Sequence, residues 1–463
     1  MNRCFILALC LFAITVPSQA QMLEHDILPT DQLDLFTLPI DPIQFDPAEQ
    51  LSAEQLQSLE PILATGEDAL LNDIPDANTL IKDLASIAVV DKSNHLVLNE
   101  VNVQHGWRAI KQEWLLLLPA DQVAQLGSLP IKVIAANELP LLQMHTVRIQ
   151  VTERFDDLKR LTDLLAPLGV EVLERHHLYD AQAASDNSIN SMIAANTRID
   201  QQTPTGQSSN PVSIGINIGI IDTAIDRQHE AFSQLDIQAK SFINDAMHEP
   251  MAHATAVLGR LVGKGKDFSP LLPKARVYAA SVFYQKDAYS QSAPTIALLQ
   301  ALEWMLQNRV KVINMSLAGP PNTLLAKALQ RMRAQGIAVI AAAGNAGPAS
   351  RPLFPAAYDS VIAVSAVDKN QRIYRWANRG HHIDFVAHGV NVTTLRAGGG
   401  EGMESGTSMA APVISAAIAL QMQKKGLQES LTSLRSMTKD LGESGRDVIY
   451  GDGYIAEQSV TNR

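Results

Sequence analysis

From residue 214 onward the sequence alternates short apolar, strand-type runs with longer stretches of helical periodicity, and this constrains the fold more than any other feature of the chain. Residues 214–221, 276–281, 310–315, 338–342 and 361–366 read as strands, while 253–261, 295–307, 324–335 and 407–424 read as helices. Strands separated by helix-length segments imply a mostly parallel sheet with helices on its faces. The predicted class of this half is therefore α/β.

A different pattern precedes it. Trp114–Leu118 is a short apolar run, Ala120–Leu126 is helical and Ile131–Ala135 is extended. His145–Val151 alternates apolar residues, Phe155–Leu165 is amphipathic, and Val170–Leu173 closes the series. The order β-α-β-β-α-β is that of a small α+β, ferredoxin-like domain, assigned here to residues 95–182. Phe155, Leu158, Leu161, Leu164 and Leu165 recur at helical spacing and form the core face of its second helix. Residues 183–210 are rich in Ser, Asn, Gln and Thr without periodicity, which marks an exposed polar linker open to proteolytic nicking. The catalytic-type domain is assigned to 211–463.

The N-terminus reads as an export signal over residues 1–20: Arg3, an apolar stretch Cys4–Val16, and a small-x-small site at Ser18-Gln19-Ala20. That stretch is short against the roughly 20 residues a membrane helix needs, and no membrane span is expected in the mature chain. The expected location is periplasmic or extracellular. Both cysteines, Cys4 and Cys10, fall inside the signal, so thiol catalysis and thiolate metal sites are excluded. The net charge of −11 has one source: residues 21–81 hold 13 Asp and Glu and no Lys or Arg. Residues 21–94 read as an acidic, partly ordered leader. The remaining charge is balanced, without the basic footprint of a nucleic-acid partner.

Four motifs carry chemistry. They are Gly219-Ile220-Ile221-Asp222-Thr223-Ala224, His253-Ala254-Thr255-Ala256-Val257, Ala342-Ala343-Gly344-Asn345 and Gly406-Thr407-Ser408-Met409-Ala410-Ala411-Pro412. Together, in this order, they resemble the Asp, His, oxyanion and Ser segments of the subtilase family. The resemblance spans residues 214–455 and implies a subtilisin-like three-layer domain acting as a secreted serine endopeptidase. Such a hydroxyl is a weak nucleophile and needs a base in reach. The resemblance makes Ser408 that nucleophile, His253 the base and Asp222 the group that orients and stabilises the imidazolium. Asn345 and the Ser408 N–H would hold the oxyanion.

By the same resemblance, Ser316-Leu317-Ala318 and Ala342-Ala343-Gly344 are the two backbone edges that bind an extended polypeptide substrate, with a pocket floor near Leu353-Phe354-Pro355. The implied side-chain preference before the scissile bond is uncharged and apolar. The N-terminal domain resembles subtilase propeptides, implying a zymogen in which it acts as intramolecular inhibitor until self-processing between about His176 and Asn210. No cofactor is implied. No metal site is expected either: the stretch matching the family's calcium loop, residues 261–269, has Lys264 and Lys266 against a single acid, Asp267. Two departures stand out. Ala224 and Ala254 occupy positions where the family has glycine, and a methyl group beside the Asp and the His bears on the triad. An amine-resolved acyl transfer and a catalytically silent binding role are the two competing functions.

Overall fold

A computed structural model describes residues 86–181, 217–287 and 290–461. The expected signal peptide, the leader as far as residue 85 and the linker at 183–210 lie outside the described residues. The described residues belong to one compact unit.

Its catalytic-type half is built on seven parallel strands in the order β16-β15-β14-β12-β7-β9-β8. These are β7 (Asn217–Asp222), β8 (Ile237–Ser241), β9 (Arg276–Ser281), β12 (Val312–Met315), β14 (Ala338–Ala342), β15 (Ile362–Val367) and β16 (Ile383–His388). Alternate residues serve opposite faces. Ile218, Ile220, Ile340 and Val364 pack with helices α2 (Ala252–Val262), α5 (Thr407–Met422) and α6 (Leu427–Arg435). Ile221, Ile313, Met315, Val339 and Ala341 pack with α3 (Thr295–Gln307) and α4 (Thr323–Ala334). The sheet is thus covered on both sides, which is why its strands read as unbroken apolar runs.

The N-terminal domain contains β3 (Arg108–Leu117), β4 (Ile131–Leu139), β5 (Met144–Val151), helix α1 (Leu158–Leu165) and β6 (Val172–Ala181). Its strands are antiparallel in the order β4-β5-β3-β6. The segment expected as the first helix is a run of 3-10 turns, Ala120–Ser128, closing in Gly127 and Ser128. Asp157 caps α1 by accepting the Arg160 N–H at 3.0 Å. Along β3, Trp114 and Leu116 face the domain's own core with Leu161 and Leu165. Leu115 and Leu117 instead join the core containing α3 and α4. The centre of the domain's sheet, at β3, is therefore buried on both faces, one of them against the catalytic-type half.

Two strands come before this module, β1 (Ser86–Val90) and β2 (Leu96–Asn102), paired antiparallel. They fall across the boundary drawn at residue 95, so residues 86–94 are not all leader. In β1 only Val89 is buried, and an edge strand exposed on both faces carries no period-two signal. Its turn is anchored on the other half, where Lys92 N and Nζ donate to the carbonyls of Ala246 (2.8 Å) and Asp245 (2.9 Å).

Candidate active site

Asp222 ends β7 with its side chain fully buried, and its Oδ1 accepts from His253 Nδ1 at 2.7 Å. The same oxygen accepts the Thr223 N–H at 2.6 Å. Thr223 Oγ1 in turn accepts the Ala254 N–H at 2.9 Å, and Ala224 N donates to Pro250 O at 2.9 Å. These bonds staple the end of β7 to the start of α2, so the Asp–His contact is set by backbone. Neither Ala224 nor Ala254 has positive φ. The two methyl groups that depart from the family pattern therefore cost no backbone strain, and the Asp222–His253 bond forms beside them.

Ser408 is the second residue of α5 and is almost fully buried. Gly406 just before it has φ 148° and ψ 165°, a conformation suited to glycine, and this turns the chain sharply into the helix. The first N–H groups of α5 consequently lie at the serine. Helices α2 and α5 pack against one another.

Asn345 follows β14. Its Oδ1 accepts both the backbone N–H and the hydroxyl of Thr407, each at 3.0 Å. Because Thr407 N can only donate, the amide's NH2 points away from Thr407. Thr407 Oγ1 also accepts the Gly344 N–H at 3.2 Å. Gly344 has φ +110°, and a Cβ there would lie 2.6 Å from Leu353 Cδ1. Leu353 thus packs directly on the Ala342-Ala343-Gly344 edge. Thr223 and Thr407 were not singled out in the sequence; each sits beside a motif residue, and only the folded hydrogen bonds reveal its part.

The other edge is β13 (Leu317–Ala318), preceded by buried Ser316. Asn314 Nδ2 donates to Ser316 Oγ at 2.9 Å, and Ser415 Oγ of α5 donates to Asn314 Oδ1 at 3.0 Å. This buried chain ties the edge to the helix that carries Ser408. Strand β6 pairs antiparallel with β13, Asp180 opposite Ala318 and Ala181 opposite Leu317. On its other side β6 pairs with β11 (Gln291–Pro294), Tyr179 opposite Ala293 and Leu178 opposite Pro294. The end of the N-terminal domain is thus a strand inserted between two edges of the catalytic-type half and advancing towards Ser316. A cavity of about 930 Å³ opens instead along the seam between the halves, lined by Trp107, Trp114, Arg175, Asn322 and Tyr358 among others.

Glu404, four residues before Ser408, was also missed. Burial pushes its carboxyl above the usual range, with His253 and Arg396 pulling it back down. Among the described residues no group of three His, Cys, Asp or Glu could hold a metal ion, and no helix is long and apolar enough to cross a membrane.

Residues 213–453, more than half of the chain, match the model of the subtilase family, and the chain belongs to that family of serine peptidases. Subtilisin DY of Bacillus licheniformis is 33% identical over 251 residues, covering 52% of this chain and 88% of the relative. Minor extracellular protease Epr of Bacillus subtilis (strain 168) is 30% identical over 246 residues, 52% of this chain and 37% of Epr. Among solved structures, fervidolysin from Fervidobacterium pennivorans, a keratinolytic enzyme related to subtilisin, superposes with a TM-score of 0.61 at 16% identity. That match covers 82% of this chain and 63% of fervidolysin, and it concerns the fold. The chain spans less than two thirds of Epr and of fervidolysin.

Proposed function

We propose that this chain is the precursor of an exported serine endopeptidase that cuts itself downstream of β6. Ser408 attacks the peptide carbonyl, His253 takes its proton and returns it to the leaving amine, and Asp222 stabilises the imidazolium. The amide of Asn345 and the Ser408 N–H hold the oxyanion of the tetrahedral intermediate. Water then resolves the acyl-enzyme. Ser316, Leu317 and Ala318 pair with the bound polypeptide through their backbone, and Ala342, Ala343 and Gly344 wall the pocket before the scissile bond.

The observation that carries this reading is the buried 2.7 Å bond from His253 Nδ1 to Asp222 Oδ1. It leaves the other ring nitrogen for the serine. The inhibitor role of the N-terminal domain is supported by its last strand, which takes the place of an extended substrate between β13 and β11. It is supported further by docking contacts away from the cleft. Glu303 of α3 accepts the N–H groups of Leu141 and Leu142, and Arg331 of α4 donates to the carbonyls of Leu142 and Gln143, both at 2.7 Å. A fluorophosphonate probe tests the reading: it should label wild type at Ser408 and leave Ser408→Ala unlabelled. An unlabelled wild type, freed of its N-terminal domain, would exclude the nucleophile assignment.

A further inference from the structure

Glu100 on β2 is fully buried, and its carboxylate is held by donors from both halves of the molecule. Arg108 Nε of its own domain approaches to 2.7 Å. From the catalytic-type half, Tyr284 Oη donates at 2.7 Å and Lys286 Nζ at 3.4 Å. A buried carboxylate is tolerated only when it is paired and hydrogen-bonded in this way. The Lys286 side chain is only 6% exposed while Glu100 is in place.

The two catalytic-side donors are rigidly mounted. Tyr284 lies in β10 (Tyr284–Gln285), which pairs with β11 at Tyr284–Ser292 and Gln285–Gln291. Gln285 N donates to His248 O and Lys286 N to Ser290 O, at 2.8 and 2.9 Å. The neighbouring acid, Asp287, accepts the Ser290 N–H at 2.8 Å within its own turn. None of these bonds involves the N-terminal domain. The hairpin also forms the far wall of the cleft that β6 fills. Asp180 lies on β6 opposite Ala318; burial pushes its carboxyl above the usual range, Lys286 and Arg108 pull it back down, and Glu100 adds to the rise.

Departure of the N-terminal domain removes Glu100, Arg108 and Asp180 together and leaves Lys286 beside the vacated strand position. We propose that in the processed enzyme Lys286, with the Tyr284 hydroxyl, forms a subsite that selects an acidic side chain, Asp or Glu, at the substrate position opposite Ala318. The proposal rests on the peptidase reading and on β6 marking the substrate path. The precursor's own strand places an acid, Asp180, at that position, while Lys286 itself is held by Glu100.

The test uses the processed full-chain product and three internally quenched peptides with the sequence of residues 177–185. They carry Asp, Asn or Lys at the position of Asp180, with product masses fixing a common cleavage bond. The expected order of kcat/KM is Asp, then Asn, then Lys. The extremes should differ about five-fold, the scale of a partly exposed ion pair, and the gap should shrink with added salt. Lys286→Met should level the three, and since Glu100 keeps Arg108 and Tyr284 the precursor retains two of three partners. Rates within about two-fold in wild type would overturn the subsite while leaving the peptidase reading intact. Labelling of Ser408 with none of the three peptides cut would overturn it too, because β6 would then not mimic a substrate. Absence of both labelling and cleavage would instead refute the peptidase reading itself.

Discussion

Tyr179 and Gly319 are in direct contact: a Cβ built on Gly319 would lie 2.5 Å from the Tyr179 ring. Tyr179 is fully buried, and its hydroxyl donates to Pro320 O at 3.0 Å. Gly319 is itself fixed by paired backbone bonds with Phe354, 2.8 and 3.0 Å, so the floor beneath the ring cannot retreat. Gly319→Ala should therefore expel the ring and weaken docking of β6, whereas Asp222, His253 and Ser408 are untouched. Tyr179→Ala alone is expected to cost about 3–5 kcal/mol of docking, as for other large buried rings. Combined with Gly319→Ala the two losses should not add. Melting of the four proteins in a Ser408→Ala background measures this; full additivity would contradict the contact.

Glu303→Ala should loosen the same interface from the opposite end. It strands the buried Leu142 N–H, at about 1–3 kcal/mol, together with the part-buried Leu141 N–H. Hydrogen exchange of the β4–β5 turn in the Ser408→Ala precursor is the direct measurement, and unchanged protection would exclude the role.

Docking should also weaken in acid. Burial pushes the His177 imidazole down to about 4, with Arg175 and His176 adding to the effect. Burial likewise lowers His176; Glu113 opposes the shift and Arg148 assists it. Both lie where β6 meets α3 and α4: Thr295 donates to His177 O at 2.9 Å, and Asn322 meets the His177 ring at 3.2 Å. A released domain returns to the ordinary histidine range near 6.5, so between about 4 and 6.5 it binds more protons than the docked one. Stability of the docked state is thus complete above that window and falls as pH falls through it. Release of activity after incubation at pH 5, assayed afterwards at one alkaline pH, should outpace release at pH 7.5. Replacing both histidines by Gln should remove the difference.

Thr407→Val should lower kcat by about ten-fold with little change in KM. It removes the hydroxyl bond to Asn345 Oδ1 while the backbone bond remains, and outright loss of such a donor costs ~100–1,000-fold, a figure established for subtilisin itself. A change confined to KM would contradict the orienting role.

The parallel sheet was legible because its strands are apolar on both faces, and the candidate site was readable because its residues sit in contiguous motifs. Less visible were contacts made between segments distant in sequence. Glu100, read within a polar stretch, is buried only because Arg108, Tyr284 and Lys286 converge on it. Strands β8 and β16 escaped notice for a related reason: Lys240 and Asp384 interrupt their apolar runs, and Asp384 is satisfied by the Ala363 N–H at 2.9 Å. Polar residues that fold against a remote partner carry no local periodicity.

Whether the chain cuts itself at the end of β6 is decided by intact mass and N-terminal sequencing of wild type and Ser408→Ala. Wild type should give two fragments, the larger beginning within a few residues beyond Ala181, the last described residue of β6, which lies opposite Leu317. Ser408→Ala should remain joined through that segment. A wild type that is fully active yet uncut, or a Ser408→Ala protein cut at the same bond, would contradict it.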